Sequence, residues 1–131
     1  MICVDTSALV AILAREDEAA GFASLIVESG DARVAVPNAL EYVMVASGQR
    51  FGFTATQAMR LIDSLGISLV AFSPALLEIA IDAFARFGKG RSPAGLNFGD
   101  CMAYALAKSL DAPLLFKGDD FERTDIKVAA T

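Results

Sequence analysis

The chain opens on an unbroken apolar run, Ile2-Cys3-Val4, that stops at Asp5. Such a run, without polar alternation, predicts a short strand buried on both faces. Thr6-Ser7 make the turn into a helical stretch, Ala8 to Ala14. Glu16 to Ser29 reads as a second helix, with Phe22, Leu25 and Ile26 at spacings of three and four. Gly30-Asp31 ends it, and Arg33 to Val36 is a second short strand. Pro37-Asn38 opens a third helix carrying Leu40, Glu41, Val43, Met44 and Val45, which fades between Gly48 and Gly52. Thr54 with Gln57 three residues on has capping-box spacing. Leu61, Ile62 and Leu65 form the apolar face of that helix up to Gly66, and Ile67 to Phe72 is a third strand.

Ser73-Pro74 sets an N-cap residue before a proline at the first helical position. Leu76, Leu77, Ala80, Ile81 and Phe84 then recur at helical spacing up to Gly88. Gly88 to Gly95 is a glycine-rich loop with Lys89 and Arg91. Asn97 opens a helix to about Leu110 with Met102, Ala105 and Leu106 facing inward, Pro113 to Phe116 is a fourth strand, and Ile126 to Ala129 is a candidate fifth. Short apolar strands alternating with helices predict an α/β fold with a mostly parallel central sheet of four to five strands. With 131 residues and no repeat, low-complexity tract or linker, the whole of 1–131 reads as a single domain.

Composition narrows the chemistry. Hydrophobic residues make up 55%, enough for a core without disulfide staples, and the net charge of −5 argues against a general nucleic-acid coat protein. A nucleic-acid partner must therefore be argued from a local site. The absence of histidine excludes Ser-His-Asp and Cys-His nucleophilic sites and any metal site that needs imidazole. Cys3 and Cys101 sit in apolar surroundings, are too few for a disulfide scaffold or a four-cysteine metal site, and read as buried free thiols. Asp5 and Arg15 interrupt the apolar N-terminus, and the longest uncharged run, Ser64 to Leu77, is broken by Gly66 and Pro74. Neither a secretory signal nor a membrane span is expected, which points to a cytoplasmic chain.

The placement of the acids is the informative feature. In a parallel α/β fold the helix N-termini lie at the C-terminal edge of the strands, where ligands bind. Asp5 ends strand one, Glu41 and Asp100 each lie in a first helical turn, and Asp119 and Asp120 follow strand four. All five should share one edge. Each also has a structural reading: Asn38 with Glu41 and Asn97 with Asp100 have capping-box spacing, Asp5 can cap the first helix, and Asp119-Asp120 can be an exposed turn. Together, in apolar context, carboxylates crowded in a cleft repel one another unless a cation intervenes. Oxygen-only ligands suit Mg²⁺ or Mn²⁺, and such a site fits phosphodiester hydrolysis. With no histidine, the base must come from a carboxylate or from the chemistry of the ion.

Four segments carry a resemblance: Val4-Asp5-Thr6-Ser7-Ala8-Leu9, the helix-borne Glu41, Leu96 to Ala105 with its Asn-Phe-Gly-Asp, and Phe116-Lys117-Gly118-Asp119-Asp120-Phe121. From Ile2 to about Ile126 the chain resembles PIN-domain proteins, most of all the VapC toxins of bacterial type II toxin–antitoxin modules. The resemblance implies a three-layer α/β/α fold and a Mg²⁺- or Mn²⁺-dependent endoribonuclease that cuts structured RNA, transfer or ribosomal, to stop translation and growth. It also implies a homodimer and a cognate VapB-like antitoxin. Asp5, Glu41 and Asp100 match the three core acids, with Asp5 and Asp100 as metal ligands. The fourth acid falls at Asp119, with Asp120 close behind, and Ser7 matches a hydroxyl that supports the first acid.

Arg86, Lys89 and Arg91, flanked by Phe84 and Phe87, form a basic, aromatic stretch that reads either as an RNA guide or as a solvated helix end. Lys117 could contact phosphate or pair with Asp119. Val43 to Leu65 carries more apolar residues than one face needs, which suits either core or a dimer or antitoxin surface. Three other functions compete. A receiver-type signalling domain would want adjacent acids after strand one and an acid after a middle strand. A haloacid-dehalogenase-type phosphatase would want an acid at position 7, where Ser7 stands. A non-catalytic RNA- or protein-binding module would use the acids only as caps.

Overall fold

Four strands, β1 (Ile2–Val4), β2 (Ala32–Ala35), β3 (Ile67–Val70) and β4 (Leu114–Leu115), form one parallel sheet in the order β3-β2-β1-β4. The structure is a computed structural model and describes residues 1–129. Side chains alternate across the sheet. Cys3 and Ala35 pack on one face with α5 (Pro74–Phe87) and α6 (Phe98–Ser109). Ile2, Val4 and Val34 pack on the other with α1 (Thr6–Leu13), α2 (Ala19–Ser29), α3 (Val36–Ala46) and α4 (Ala55–Ser64). The expected α/β/α layering is therefore present. Strands this short hold because both faces are covered; burying one side chain such as Leu114 contributes about 1.5–3 kcal/mol.

The strand order places the site. The chain steps outward from β1 through β2 to β3, then returns to lay β4 on the opposite side of β1. The order reverses between β1 and β4, which opens a crevice at their C-terminal ends. α6 runs beneath that crevice with every residue from Gly99 to Ala107 buried. A helix apolar on all sides belongs in a core, and the one carboxylate in that run is Asp100.

Several boundaries differ from the sequence expectation. α1 begins at Thr6, two residues early, because Asp5 caps it. α2 begins at Ala19 instead of Glu16, and Glu16 and Glu18 form a turn whose carboxylates hold Lys117. α3 begins at Val36 with Pro37 in its first turn, so Asn38 is no cap. β3 stops at Val70, two residues short of Phe72, and β4 is only Leu114–Leu115. The candidate fifth strand is reduced to a single parallel bridge, Leu114 to Val128. The capping box of Thr54 and Gln57 is formed as expected. β3 is an edge strand followed by Ala71-Phe72-Ser73, with no acid there for a receiver-type phosphoacceptor. Both cysteines are free and buried. Among the described residues no helix is long and apolar enough to cross a membrane.

Candidate functional site

Asp5 leaves β1 and becomes the N-cap of α1. Its Oδ2 accepts from the Ser7 backbone N–H (3.0 Å) and the Ser7 hydroxyl (2.6 Å). Ser7 Oγ also accepts from the Lys117 backbone N–H (2.9 Å), which ties the end of β1 to the segment after β4. The Asp5 side chain is buried, and burial pushes its pKa up to about 6. The Ser7 bonds pull it down, and the Glu41 charge raises it further.

Asp100 enters the same crevice from α6. The capping box is real here: Asn97 Oδ1 accepts from the Asp100 N–H (2.9 Å), and Asp100 Oδ2 accepts from the Asn97 N–H (3.1 Å). The structural and functional readings of Asp100 are thus compatible. Burial pushes Asp100 up to about 7, the bond from Asn97 opposes this, and the charges of Asp5 and Asp120 add to it. Two carboxyls from different helices are thereby desolvated within reach of one another's charge.

Glu41 completes the group from the second turn of α3, not from the first turn that its spacing to Asn38 predicts, because the helix begins at Val36. Its carboxylate lies over Gly99, where an added Cβ would stand 2.5 Å from each of its oxygens. Glycine before Asp100 is what allows this approach. The capping box expected between Asn38 and Glu41 does not form: Asn38 is buried and bonds to Gly99 and Thr6 instead. The charges therefore couple in a row, Glu41 to Asp5, Asp5 to Asp100 and Asp100 to Asp120.

Of the two candidates for the fourth acid, Asp120 is the one whose carboxyl is close enough to Asp100 to raise its pKa. The neighbouring Phe121 is buried and stacks on Phe116 with ring centroids 4.9 Å apart, which fixes the backbone beside Asp120. Asp119 lies in the same exposed turn and accepts the Glu122 N–H through its carbonyl.

Two of the basic candidates are engaged elsewhere. Lys117 pairs with Glu16 and with Glu18 (3.3 Å) and not with Asp119. Arg86 pairs with Asp82 (3.3 Å) and Asp125 (3.4 Å). Arg91 stacks over Phe84 at 4.8 Å, and Lys89 lines a groove of about 500 Å³ with Leu77, Ile81, Phe84, Phe98 and Met102. A second groove of about 520 Å³, lined by Val36, Leu40, Glu41, Met44 and Phe98, shares Phe98 with the first and reaches Glu41. The apolar surplus of Val43 to Leu65 divides: Met59 and Leu61 pack on the core, while Met44, Val45 and Phe53 are exposed.

Sequence reasoning missed three contributors. Asn38 read as a cap and is instead a buried tie between helices. Gly99 read only as part of a motif, although a glycine before a first-turn acid is a local signal of close approach. The Tyr104 hydroxyl donates to Asp125 (2.6 Å), a contact with no local signature. Among the described residues no three acids or thiols converge into a ready-made cation cage; the arrangement is open.

Residues 2–127 match the family model for the PIN domain. Ribonuclease VapC30 of Mycobacterium tuberculosis is 39% identical over 128 residues, covering 97% of each chain. Ribonuclease VapC42 of the same organism is 37% identical over 129 residues, 98% of each. In fold, the chain is similar to Mycobacterium tuberculosis VapC20, described as a sarcin-ricin-loop-cleaving toxin, with a TM-score of 0.74, 16% identity and 96% of each chain covered. It is also similar to a chain of a toxin–antitoxin complex from Klebsiella pneumoniae, with a TM-score of 0.69, 16% identity and 95% and 93% coverage.

Proposed function

The chain belongs to the PIN-domain family, with VapC ribonucleases as its near relatives, and from that premise we propose that it is an endoribonuclease and the toxin of a type II toxin–antitoxin module. The observation that carries this reading is the Asp5–Asp100 pair, buried at the topological switch point with raised proton affinity and flanked by Glu41 and Asp120. Buried acids that resist ionisation are arranged for a positive ligand.

The donor set suits a hard divalent ion, Mg²⁺ or Mn²⁺: every candidate ligand is a carboxylate oxygen, and Mg²⁺ commonly binds through only one or two carboxylates plus substrate phosphate. Asp5 and Asp100 would hold it, where it would offset the charge developing on the phosphodiester and the charge of the acids themselves. Ser7 holds Asp5 in one rotamer and favours its ionised form. Asn97 does the same for Asp100. Glu41 and Asp120 are less buried and are the carboxylates able to take a proton from an attacking water, a role that no histidine can fill here.

The substrate class is structured RNA, transfer or ribosomal. Lys89 and Arg91, on the loop leading into α6, are placed to meet its phosphates. The exposed Leu40, Met44, Phe98, Leu77 and Ile81 form an apolar face beside the acids that suits a second copy of the chain and a VapB-like antitoxin. The cytoplasm, reducing enough to suit the free thiols Cys3 and Cys101, is the compartment of action.

The test is incubation of purified protein with total cellular RNA, with Mg²⁺, with Mn²⁺ and with EDTA, beside Asp5→Asn and Asp100→Asn. Discrete cleavage that needs the metal and both acids is expected. Absence of cleavage by folded, antitoxin-free protein would return the acids to a capping role in a binding module.

A further inference from the structure

Asp5 caps α1, Asp100 lies in the first turn of α6, and Glu41 lies in the second turn of α3. Their mutual spacing therefore depends on what ties those three helices together. Asn38 touches all three. Its side chain is wholly buried, and Nδ2 donates to the Gly99 carbonyl (3.0 Å) and, more weakly, to Thr6 Oγ1 (3.3 Å). The Thr6 hydroxyl in turn donates to the Asn38 carbonyl (3.1 Å). Thr6 follows Asp5, Gly99 precedes Asp100, and Glu41 lies one helical turn beyond Asn38.

The orientation of the amide is fixed by chemistry. The Gly99 carbonyl can only accept, so the nitrogen must face it. Among the described residues this leaves Asn38 Oδ1 buried without a partner. An orphaned buried acceptor is destabilising, and an aliphatic side chain of similar volume would fill the space without one. Packing alone does not call for an asparagine here, and capping does not either, since α3 begins at Val36.

We infer that Asn38 is a positioning residue: by bridging the Gly99 carbonyl and the Thr6 hydroxyl it sets the mutual placement of Asp5, Glu41 and Asp100. The inference rests on the nuclease reading, and its test lets either fail alone. Asn38→Leu keeps the branched shape, with somewhat larger volume, and loses both bonds. Thr6→Val removes the hydroxyl and leaves the acids intact. Ile62→Val, on α4 in the core cluster that also holds α1 and α3, is a control that loosens packing without removing a hydrogen bond or an acid.

Three quantities are measured for each: the single-turnover rate on bulk transfer RNA, Mn²⁺ affinity by electron paramagnetic resonance, and the thermal unfolding midpoint. Misplacement by about 1 Å slows a reaction on the order of a hundredfold. Asn38→Leu should therefore slow cleavage about 10- to 100-fold and weaken Mn²⁺ several-fold. Thr6→Val should move both quantities the same way, but less. Ile62→Val should lower only the midpoint. A folded Asn38→Leu with wild-type rate and Mn²⁺ affinity overturns the inference. If Asn38→Leu does not fold, Thr6→Val decides by the same two readouts. A wild type that binds Mn²⁺ but cuts no RNA fails the nuclease reading, and Mn²⁺ affinity then judges Asn38 alone. A wild type that does neither overturns both.

Discussion

At the scale of single residues the site is a conflict between charge and burial. Asp5 sits near 6 and Asp100 near 7, against an ordinary 3.8, chiefly because both are buried. The metal-free folded chain binds those two protons more tightly than the unfolded chain does. Their contribution to stability is therefore fully present below about pH 4 and is lost as pH rises through 6 and 7. One pKa unit is about 1.4 kcal/mol, so Asp5 alone removes on the order of 3 kcal/mol by neutrality. In EDTA the unfolding midpoint should fall between about pH 5 and pH 8, and saturating Mn²⁺ should restore it. Asp100→Asn should raise the midpoint at about pH 8 while abolishing cleavage; a midpoint independent of pH would show that the pair is not buried as described. Gly99 tests the other side of the cluster. A Cβ there meets the Glu41 oxygens at 2.5 Å, and the end of a flexible side chain can move aside. Alanine is at least as good as glycine in a helix. Gly99→Ala should thus fold as stably as wild type yet cut RNA about tenfold or more slowly, as single-turnover assays beside thermal melts would show. An unchanged rate would remove Glu41 from the reaction.

At the scale of elements, what was legible in the sequence was what local chemistry determines. Thr54 with Gln57, Ser73 before Pro74, and Asn97 with Asp100 all start helices as read, because a cap is settled within four residues. Asn38 defeated the same logic: its spacing to Glu41 was right, but Pro37 starts the helix earlier and the amide is drawn to Gly99, far along the chain. The ends of β3 and β4 and the missing fifth strand were illegible because a strand ends where its partner does. Asp119 and Asp120 could not be told apart because adjacent residues share one local pattern, and the approach of Asp120 to Asp100 depends on how the buried Phe121 anchors that turn. The same holds for the clasp at the end of the chain, where Asp125 receives the Tyr104 hydroxyl (2.6 Å), Lys108 (3.0 Å) and Arg86 (3.4 Å), pinning the segment that bears Asp120 onto α5 and α6. Tyr104→Phe removes one bond to a carboxylate that keeps two cations. A loss of about 1–2 kcal/mol in urea unfolding is expected, and no loss would mean that the two cations hold the segment by themselves.

At the scale of the whole molecule, the order of strands and helices followed from periodicity, and the meeting of Asp5 with Asp100 followed from the edge to which a parallel sheet brings its helix N-termini, while Glu41 joins them from the second turn of α3. The electrostatic surface did not follow, because ion pairs join residues distant in sequence. A chain of net charge −5 must bring RNA to a cluster of acids, so the cations that remain available decide where it can approach. Arg86 and Lys117 are already committed to Asp82, Asp125, Glu16 and Glu18. Lys89 and Arg91 enter no salt bridge among the described residues, and both stand on the loop that leads into α6. Each phosphate contact to single-stranded RNA adds about 0.7 to the slope of log affinity against log salt. Binding measured on the Asp100→Asn background, where RNA survives, should lose about 1.4 from that slope when Lys89 and Arg91 are both changed to alanine. Arg86→Ala and Lys117→Ala should leave the slope near its starting value, because releasing an internal pair frees an acid as well as removing a cation. The reverse pattern, with Arg86 and Lys117 carrying the slope, would mean that RNA breaks those pairs on arrival and crosses the clasp at Asp125 instead of the loop before α6.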